Sequence, residues 1–215
     1  MNITSKPSLF IGAKKFNEFS NFIAGGKYSS IMVLVDENSD KYCLPLVKDG
    51  LGYQSKIVIK GGEENKTIYT CIDVWNQMAA LNLDRKALVI NLGGGTLCDM
   101  GGFIASTYKR GIHFFHIPTT LLSMSDSCIG GKLAVDLKGY KNIVGLFKNP
   151  KAVYINPGFL KTLPEKFVNS GFGEIIKHAL ISDKRFFNEL LNNDEIDKDL
   201  VKLITRSLKI KFRIV

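Results

Sequence analysis

The chain has 215 residues, 45% hydrophobic and 23% charged, with a formal charge of +9. That composition gives a globular protein with one sizeable core and excludes a disordered or fibrous chain. Four scattered cysteines without a CxxC pair exclude a zinc ribbon or disulfide scaffold and fit a reducing, cytoplasmic setting.

Taken in order, apolar runs alternate with amphipathic ones. The opening MNITSKPSLFIG has no long apolar core of a signal peptide, and no stretch is long enough to span a membrane. Ser8–Ile11 is expected to be a strand and Lys14–Ala24 a helix. Ile31–Val35 is a buried strand ending at Asp36, and Asn38–Lys48 a helix or turn interrupted by Pro45. Strand Lys56–Ile59 leads to the Gly61-Gly62 break, and Lys66–Leu81 has helical spacing. Ala87–Leu92 is an apolar strand, Asp99–Tyr108 a helix, and Phe114–Ile117 a strand before Pro118. Strands alternating with helices of this length predict an α/β fold with a parallel sheet and helices on both faces. From Asn156 onward the pattern is helical, over Pro164–Ile181, Lys184–Leu191 and Glu195–Ile214. We expect a boundary near 156–163, with an α/β domain over 1–158 and the start of an all-helical domain over 159–215. The last helix runs to Val215 without a stop signal, as though continuing.

The glycine-rich stretch from Gly93 to Asn142 carries the chemistry. Gly93-Gly94-Gly95 follows a strand and precedes a helix, so its backbone N–H groups suit a phosphate. It is not the ordinary dinucleotide fingerprint, since Cys98 stands where a third glycine or alanine belongs. Gly101-Gly102, in the first helical turn as predicted, would weaken a helix unless something packs close. Asp36 ends a buried strand, where it could accept from ribose hydroxyls or cap the next helix; Gly61–Lys66 has the same two options. Gly130-Gly131-Lys132 is not a P-loop, because Asp126 and Leu133 occupy positions that need glycine and Ser or Thr. Lys132 then suits an anionic small substrate. No basic run interleaved with aromatics and no nucleic-acid signature accompanies the positive charge, which argues against nucleic acid as partner.

Glu174 and Lys177 share a helix face. His178, four residues after Glu174, either completes a two-ligand metal face or is a satisfied core residue. His113 and His116, three apart on a strand, face opposite ways and cannot chelate together.

GGGTLCDMGGF, KRGI, PTTLL, SDSCIGGK, Lys141-Asn142, FLKTLP and GEIIKHAL together resemble the 3-dehydroquinate synthases of the sugar-phosphate cyclase family, in that family's order from about Asp36 onward. The resemblance implies a Rossmann-like NAD-binding domain followed by a helical metal- and substrate-binding domain, in a homodimer. It implies conversion of 3-deoxy-D-arabino-heptulosonate 7-phosphate to 3-dehydroquinate and phosphate in the shikimate pathway. NAD⁺ there oxidises a ring hydroxyl transiently, phosphate is eliminated, the carbonyl is reduced back and the opened product closes by an aldol step.

Carried over by position, Asp126, Lys132, Lys177, Asn142 and Arg110 are expected to carry the chemistry. Arg110 would reach the partner subunit's substrate phosphate. Asp36, Glu63, Lys66, Gly94, Gly95, Thr96, Asp99, Thr119, Thr120, Asp126, Lys132, Lys141, Phe159, Thr162 and Leu163 are expected to contact the cofactor, and Glu174 to bind zinc or cobalt. His178 does not match a ligand position of the family. Its two histidine ligands fall beyond Val215, so these residues alone are expected to be inactive or nearly so. Three other readings share these residues: another sugar-phosphate cyclase, a metal-dependent polyol dehydrogenase, and a non-catalytic NAD-binding or dimerisation module.

Overall fold

A computed structural model describes residues 6–192 and 199–214. Six parallel strands form the sheet, in the order β1-β8-β5-β4-β2-β3. These are β1 (Ser8–Ile11), β2 (Ile31–Asp36), β3 (Ser55–Ile59), β4 (Leu88–Gly93), β5 (His113–Pro118) and β8 (Ala152–Ile155). All six residues of β4 are buried, as are Met32–Val35 of β2, because helices cover both faces.

One face is aromatic. Helix α1 (Phe16–Gly25) lays Phe19 on Tyr154 of β8 with ring centroids 5.2 Å apart, and Phe115 of β5 closes the cluster. The other face is aliphatic and sulfur-rich. Here α4 (Ile68–Ala80) and α5 (Gly95–Thr107) pack Cys71, Val74, Met78, Met100 and Ile104 over Met32, Leu34 and Val89.

Pro45 splits the segment expected as one helix. It becomes α2 (Glu37–Tyr42), a 3₁₀ turn (Leu44–Leu46) and the short α3 (Lys48–Leu51). Helix α4 starts at Ile68 rather than Lys66, because the Thr67 side chain caps it. Helix α5 starts four residues earlier than expected, at Gly95. Gly101 and Gly102 are therefore mid-helix. A Cβ on Gly101 would lie 2.1 Å from Asn91 Oδ1, and one on Gly102 would lie 2.4 Å from Leu133 Cδ2. Close approach of helix to sheet and hairpin is why both are glycine.

The hairpin was not anticipated. β6 (Lys132–Leu137) pairs antiparallel with β7 (Tyr140–Phe147). The turn residues Lys138 and Gly139 have φ of 48° and 84°, the signs of a two-residue hairpin turn. Strand β8 was also missed. After a 3₁₀ segment (Pro157–Thr162) come α6 (Glu165–Ser182), α7 (Lys184–Asn192) and α8 (Leu200–Ile214). Glu195 to Lys198, the expected start of the last helix, lie outside the described residues. Ile175, Ala179, Phe186, Leu203, Ile204 and Leu208 join the same core cluster as β4, β5 and β8, so hydrophobic burial continues across the expected boundary. No helix among the described residues is long and apolar enough to cross a membrane.

Candidate active site

Strand order reverses between β2 and β4: from β2 the chain steps outward to β3, then back across to β4. Parallel sheets bind ligands outside the carboxyl ends of their strands at such a point. Asp36 ends β2, Gly93 ends β4 and Pro118 ends β5 on this rim.

Helix α5 points its N-terminus into the rim, with Gly94 as N-cap and no side-chain cap. A Cβ on Gly95 would come within 2.8 Å of Ser127 Oγ, a buried hydroxyl without a hydrogen-bond partner. Free N–H groups, the positive end of the helix and that hydroxyl together fit a pyrophosphate. Asp36 takes the capping option. Its Oδ1 accepts from the N–H groups of Asn38 and Ser39 at 2.9 and 2.8 Å, in a capping box with Ser39. Only one of its oxygens is used in this way. Glu63 Oε2 accepts from Thr96 Oγ1 at 2.6 Å, and Thr119 N–H donates to the Gly93 carbonyl, which ties the β5 exit to the β4 exit. Thr120 hydrogen-bonds Ser123 in the same turn.

Two polar clusters flank this turn. Buried Lys66 donates from Nζ to Asp99 Oδ2 and Asn142 Oδ1, each at 2.8 Å. Asn142, at φ 52°, donates its backbone N–H to Asp136 Oδ1. Thus Lys66 joins α5 to the hairpin. Burial raises the Asp99 carboxyl pKa above its usual range, and Lys66 opposes that rise.

The second cluster forms where the β5 exit, α6 and α8 meet. Asp126 sits on a π-helical turn (Ser123–Ser127), an irregularity common at functional sites. His178 Nε2 of α6 lies 3.3 Å from Asp126 Oδ1 and 3.4 Å from Glu174 Oε1. The ligand atoms of these three residues all fall within 4.8 Å of one another. Lys211 Nζ of α8 donates to Asp126 Oδ1 at 2.6 Å and to the Asp126 carbonyl at 2.7 Å, and Lys177 pairs with Glu174. Burial lowers the pKa of His178, while the two carboxylates raise it. Two carboxylate oxygens and an imidazole nitrogen are a donor set suited to zinc or cobalt.

The remaining expected residues stand apart from these hydrogen-bonded clusters. Lys132 opens β6 and Lys141 lies on β7, both exposed. Phe159 is buried in the aromatic core, Leu163 packs against that core, and Thr162 is exposed with its hydroxyl on the Phe159 carbonyl. Arg110 is exposed at the far end of α5, just before β5 begins, hence at the opposite edge of the sheet. Sequence alone did not single out Ser207 and Lys211, and it left His178 open between a metal face shared with Glu174 and a core position. All three depend on contacts between distant elements.

A switch-point crevice with an open helix N-terminus, beside carboxylate and imidazole donors, defines a nucleotide-binding α/β enzyme fold with a candidate metal centre. Residues 56–170 match the family model described as 3-dehydroquinate synthase N-terminal, and the chain belongs to the 3-dehydroquinate synthase family. A 3-dehydroquinate synthase of Acetivibrio thermocellus is 45% identical over 193 residues, covering 84% of this chain and 53% of that protein. The chain thus spans about half the length of that curated relative. A structure of 2-deoxy-scyllo-inosose synthase complexed with carbaglucose-6-phosphate, NAD⁺ and Co²⁺ superposes with a TM-score of 0.83 at 26% identity. It covers 96% of this chain and 59% of that one. A 2-epi-5-epi-valiolone synthase from Streptomyces hygroscopicus subsp. jinggangensis, with NAD⁺ and Zn²⁺ bound, gives 0.80 at 25% identity over 99% and 62%.

Proposed function

We propose that the protein catalyses the 3-dehydroquinate synthase reaction, using NAD catalytically, on the phosphorylated keto-sugar acid 3-deoxy-D-arabino-heptulosonate 7-phosphate. The observation that carries this reading is the closeness of the α5 N-terminus to the turn that holds Asp126, where a Cβ on Gly95 would lie 2.8 Å from Ser127 Oγ, with Glu174 and His178 gathered around Asp126. A hydride acceptor and a metal that orients hydroxyls need that adjacency.

The N–H groups at Gly95 and Thr96 hold the cofactor's pyrophosphate, and the free oxygen of Asp36 accepts from a ribose hydroxyl. NAD⁺, when bound, would supply a reversible oxidation, and a divalent metal, zinc or cobalt, held by Glu174 would act as a Lewis acid toward the substrate's oxygens. Lys132, Asn142 and Lys177 bind the anionic substrate, and Asp126 orients the reacting carbon. Residues 1–158 serve the nucleotide and 159–215 begin the metal- and substrate-binding domain. Arg110, exposed and far from its own rim, serves a second subunit's phosphate in a homodimer. The protein is cytoplasmic and takes no nucleic acid as partner.

Incubation of the whole protein, including the two histidine ligands expected beyond these residues, with that substrate, a divalent metal and substoichiometric NAD⁺ is expected to release phosphate in molar excess over NAD⁺ without accumulating NADH. NADH accumulating in step with turnover would replace this reading with a polyol dehydrogenase.

A further inference from the structure

We infer that Asp136 of β6 is a positioning residue for the substrate: it holds Asn142 so that the side-chain N–H groups of Asn142 are left free to donate to that substrate. The inference rests on the reading above, in which Asn142 binds the anionic substrate. It adds a residue outside those given by the family resemblance, acting through Asn142.

Three hydrogen bonds close a ring. The Asp136 N–H donates to the Lys66 carbonyl at 2.8 Å. Asp136 Oδ1 accepts from the Asn142 N–H at 2.7 Å. Lys66 Nζ donates to Asn142 Oδ1 at 2.8 Å. Each residue gives one hydrogen bond and accepts one, and the three come from the segment before α4, from β6 and from β7. Lys66 is 3% exposed, so the ring hangs from a buried point.

The hairpin does not need this ring to turn. Its turn is at Lys138 and Gly139, whereas the β6–β7 ladder shifts register between Val135 and Leu137, at Asp136. Asn142 stands at φ 52°, in the left-handed region, which is unusual inside a strand. Such a conformation persists only where its surroundings fix it. Here the Asp136 carboxylate fixes it, by accepting from the Asn142 backbone.

The direction of the amide follows. An ammonium has only protons to offer, so the Asn142 atom beside Lys66 Nζ is the carbonyl oxygen. Nδ2 therefore points the other way. Asn142 is exposed, and its two Nδ2 protons bond no other residue among those described. They are donors that a phosphate or carboxylate oxygen can accept from. Without the Asp136 acceptor, the backbone at 142 relaxes out of the left-handed region and the amide swings off Lys66.

Two variants of the whole protein test this. Asp136→Ala removes the acceptor, and Asp136→Asn keeps an oxygen that still accepts from the Asn142 N–H. With metal and NAD⁺ present, Asp136→Ala is expected to raise KM for 3-deoxy-D-arabino-heptulosonate 7-phosphate about tenfold, the worth of one hydrogen bond, with kcat changed less than about twofold. Asp136→Asn is expected to restore KM to within about twofold of the wild type. Calorimetry should find NAD⁺ affinity unchanged in both. Hydrogen exchange at residue 142, followed by mass spectrometry, should speed up in Asp136→Ala alone. An unchanged KM in Asp136→Ala overturns the inference. So does Asp136→Asn raising KM as much as Asp136→Ala, since charge and not the acceptor would then matter. A loss of NAD⁺ affinity that matches the rise in KM overturns it too, as the mark of general damage to the rim. If the wild type releases no phosphate from this substrate, the proposed reaction falls, and faster exchange in Asp136→Ala alone still upholds the hold on Asn142.

Discussion

The two polar clusters beside the nucleotide rim are built in opposite ways. On the hairpin side, Lys66 is a buried donor facing two acceptors, and its hydrogen bonds are short and complete. On the α6 side, Asp126, Glu174 and His178 gather two carboxylates and an imidazole, with Lys211 on Asp126 and Lys177 on Glu174. The first arrangement is finished as it stands and ties the hairpin to α5. The second offers two carboxylates and an imidazole whose ligand atoms lie within 4.8 Å of one another, a donor set that suits a metal if it displaces the lysines. The first places its ammonium in the buried interior, whereas the second leaves its ion pairs more open to exchange with a metal.

Breaking the filled cluster is expected to have the largest effect. Lys66→Met leaves the Asp99 carboxylate, largely buried, without its cation, and should cost about 3 kcal/mol in urea unfolding. Removing both charges together, in Lys66→Met/Asp99→Leu, should recover most of that loss, since an apolar pair replaces an ion pair at little net cost. Equal destabilisation by the single and double variants would mean that Lys66 acts through its contact with Asn142 instead.

The α6 cluster should respond to metal rather than to mutation alone. Zn²⁺ at 100 times its dissociation constant is expected to stabilise the protein by about 2.7 kcal/mol. Thermal unfolding with and without metal measures this, and Glu174→Gln should abolish the gain. A metal-induced rise in Lys66→Met equal to that in the wild type would show the two clusters to be independent.

Acid tests the sheet beneath both clusters. His116 is buried on β5, where Asn91 Nδ2 of β4 donates to its Nδ1. Burial lowers its pKa from 6.5 to about 3. Between those values the unfolded chain binds the proton that the folded one refuses, so stability falls as pH drops below 6.5. By pH 5 the loss from this residue is about 2 kcal/mol, at 1.36 kcal/mol per pH unit. His116→Gln should flatten that part of the stability curve. An unchanged slope between pH 6.5 and 5 would assign it to other groups.

How much of this could be read from the sequence follows contact range. The strands Ile31–Asp36, Leu88–Gly93 and His113–Pro118 are apolar runs with local signals, and the rim residues lie one turn beyond them. The hairpin had a signal too: Leu133, Val135 and Leu137 alternate before the Lys138-Gly139 turn. Its exposed outer residues, with Gly145 inside β7, blurred the period. The start of α5 was hidden because glycines at 93–95 disfavour a helix by propensity, and packing overrides them. The surroundings of His178 could not be read because Asp126 and Ser207, which its two ring nitrogens face, are 52 and 29 residues away. Sequence spacing along one helix offered only Glu174 as its companion.

The smallest expected effect lies at the margin of the α6 cluster and bears most directly on the contrast between the two. Lys211 and Lys66 each put an ammonium on a carboxylate, yet their removal should differ in cost. Asp126 is 26% exposed at its side chain and Lys211 is 11%, against 23% and 4% for Asp99 and Lys66. Water therefore reaches Lys211 more easily than Lys66, while the two carboxylates are about equally exposed. Asp126 also lies beside the His178 ring, whereas Asp99 depends on Lys66. Lys211→Met should accordingly lower stability by only about 1 kcal/mol, near the upper end for an accessible pair. It should also tighten Co²⁺ binding, because the ammonium no longer competes for Asp126 Oδ1. A loss as large as that of Lys66→Met, with weaker metal binding, would make Lys211 part of a second filled cluster and erase the distinction.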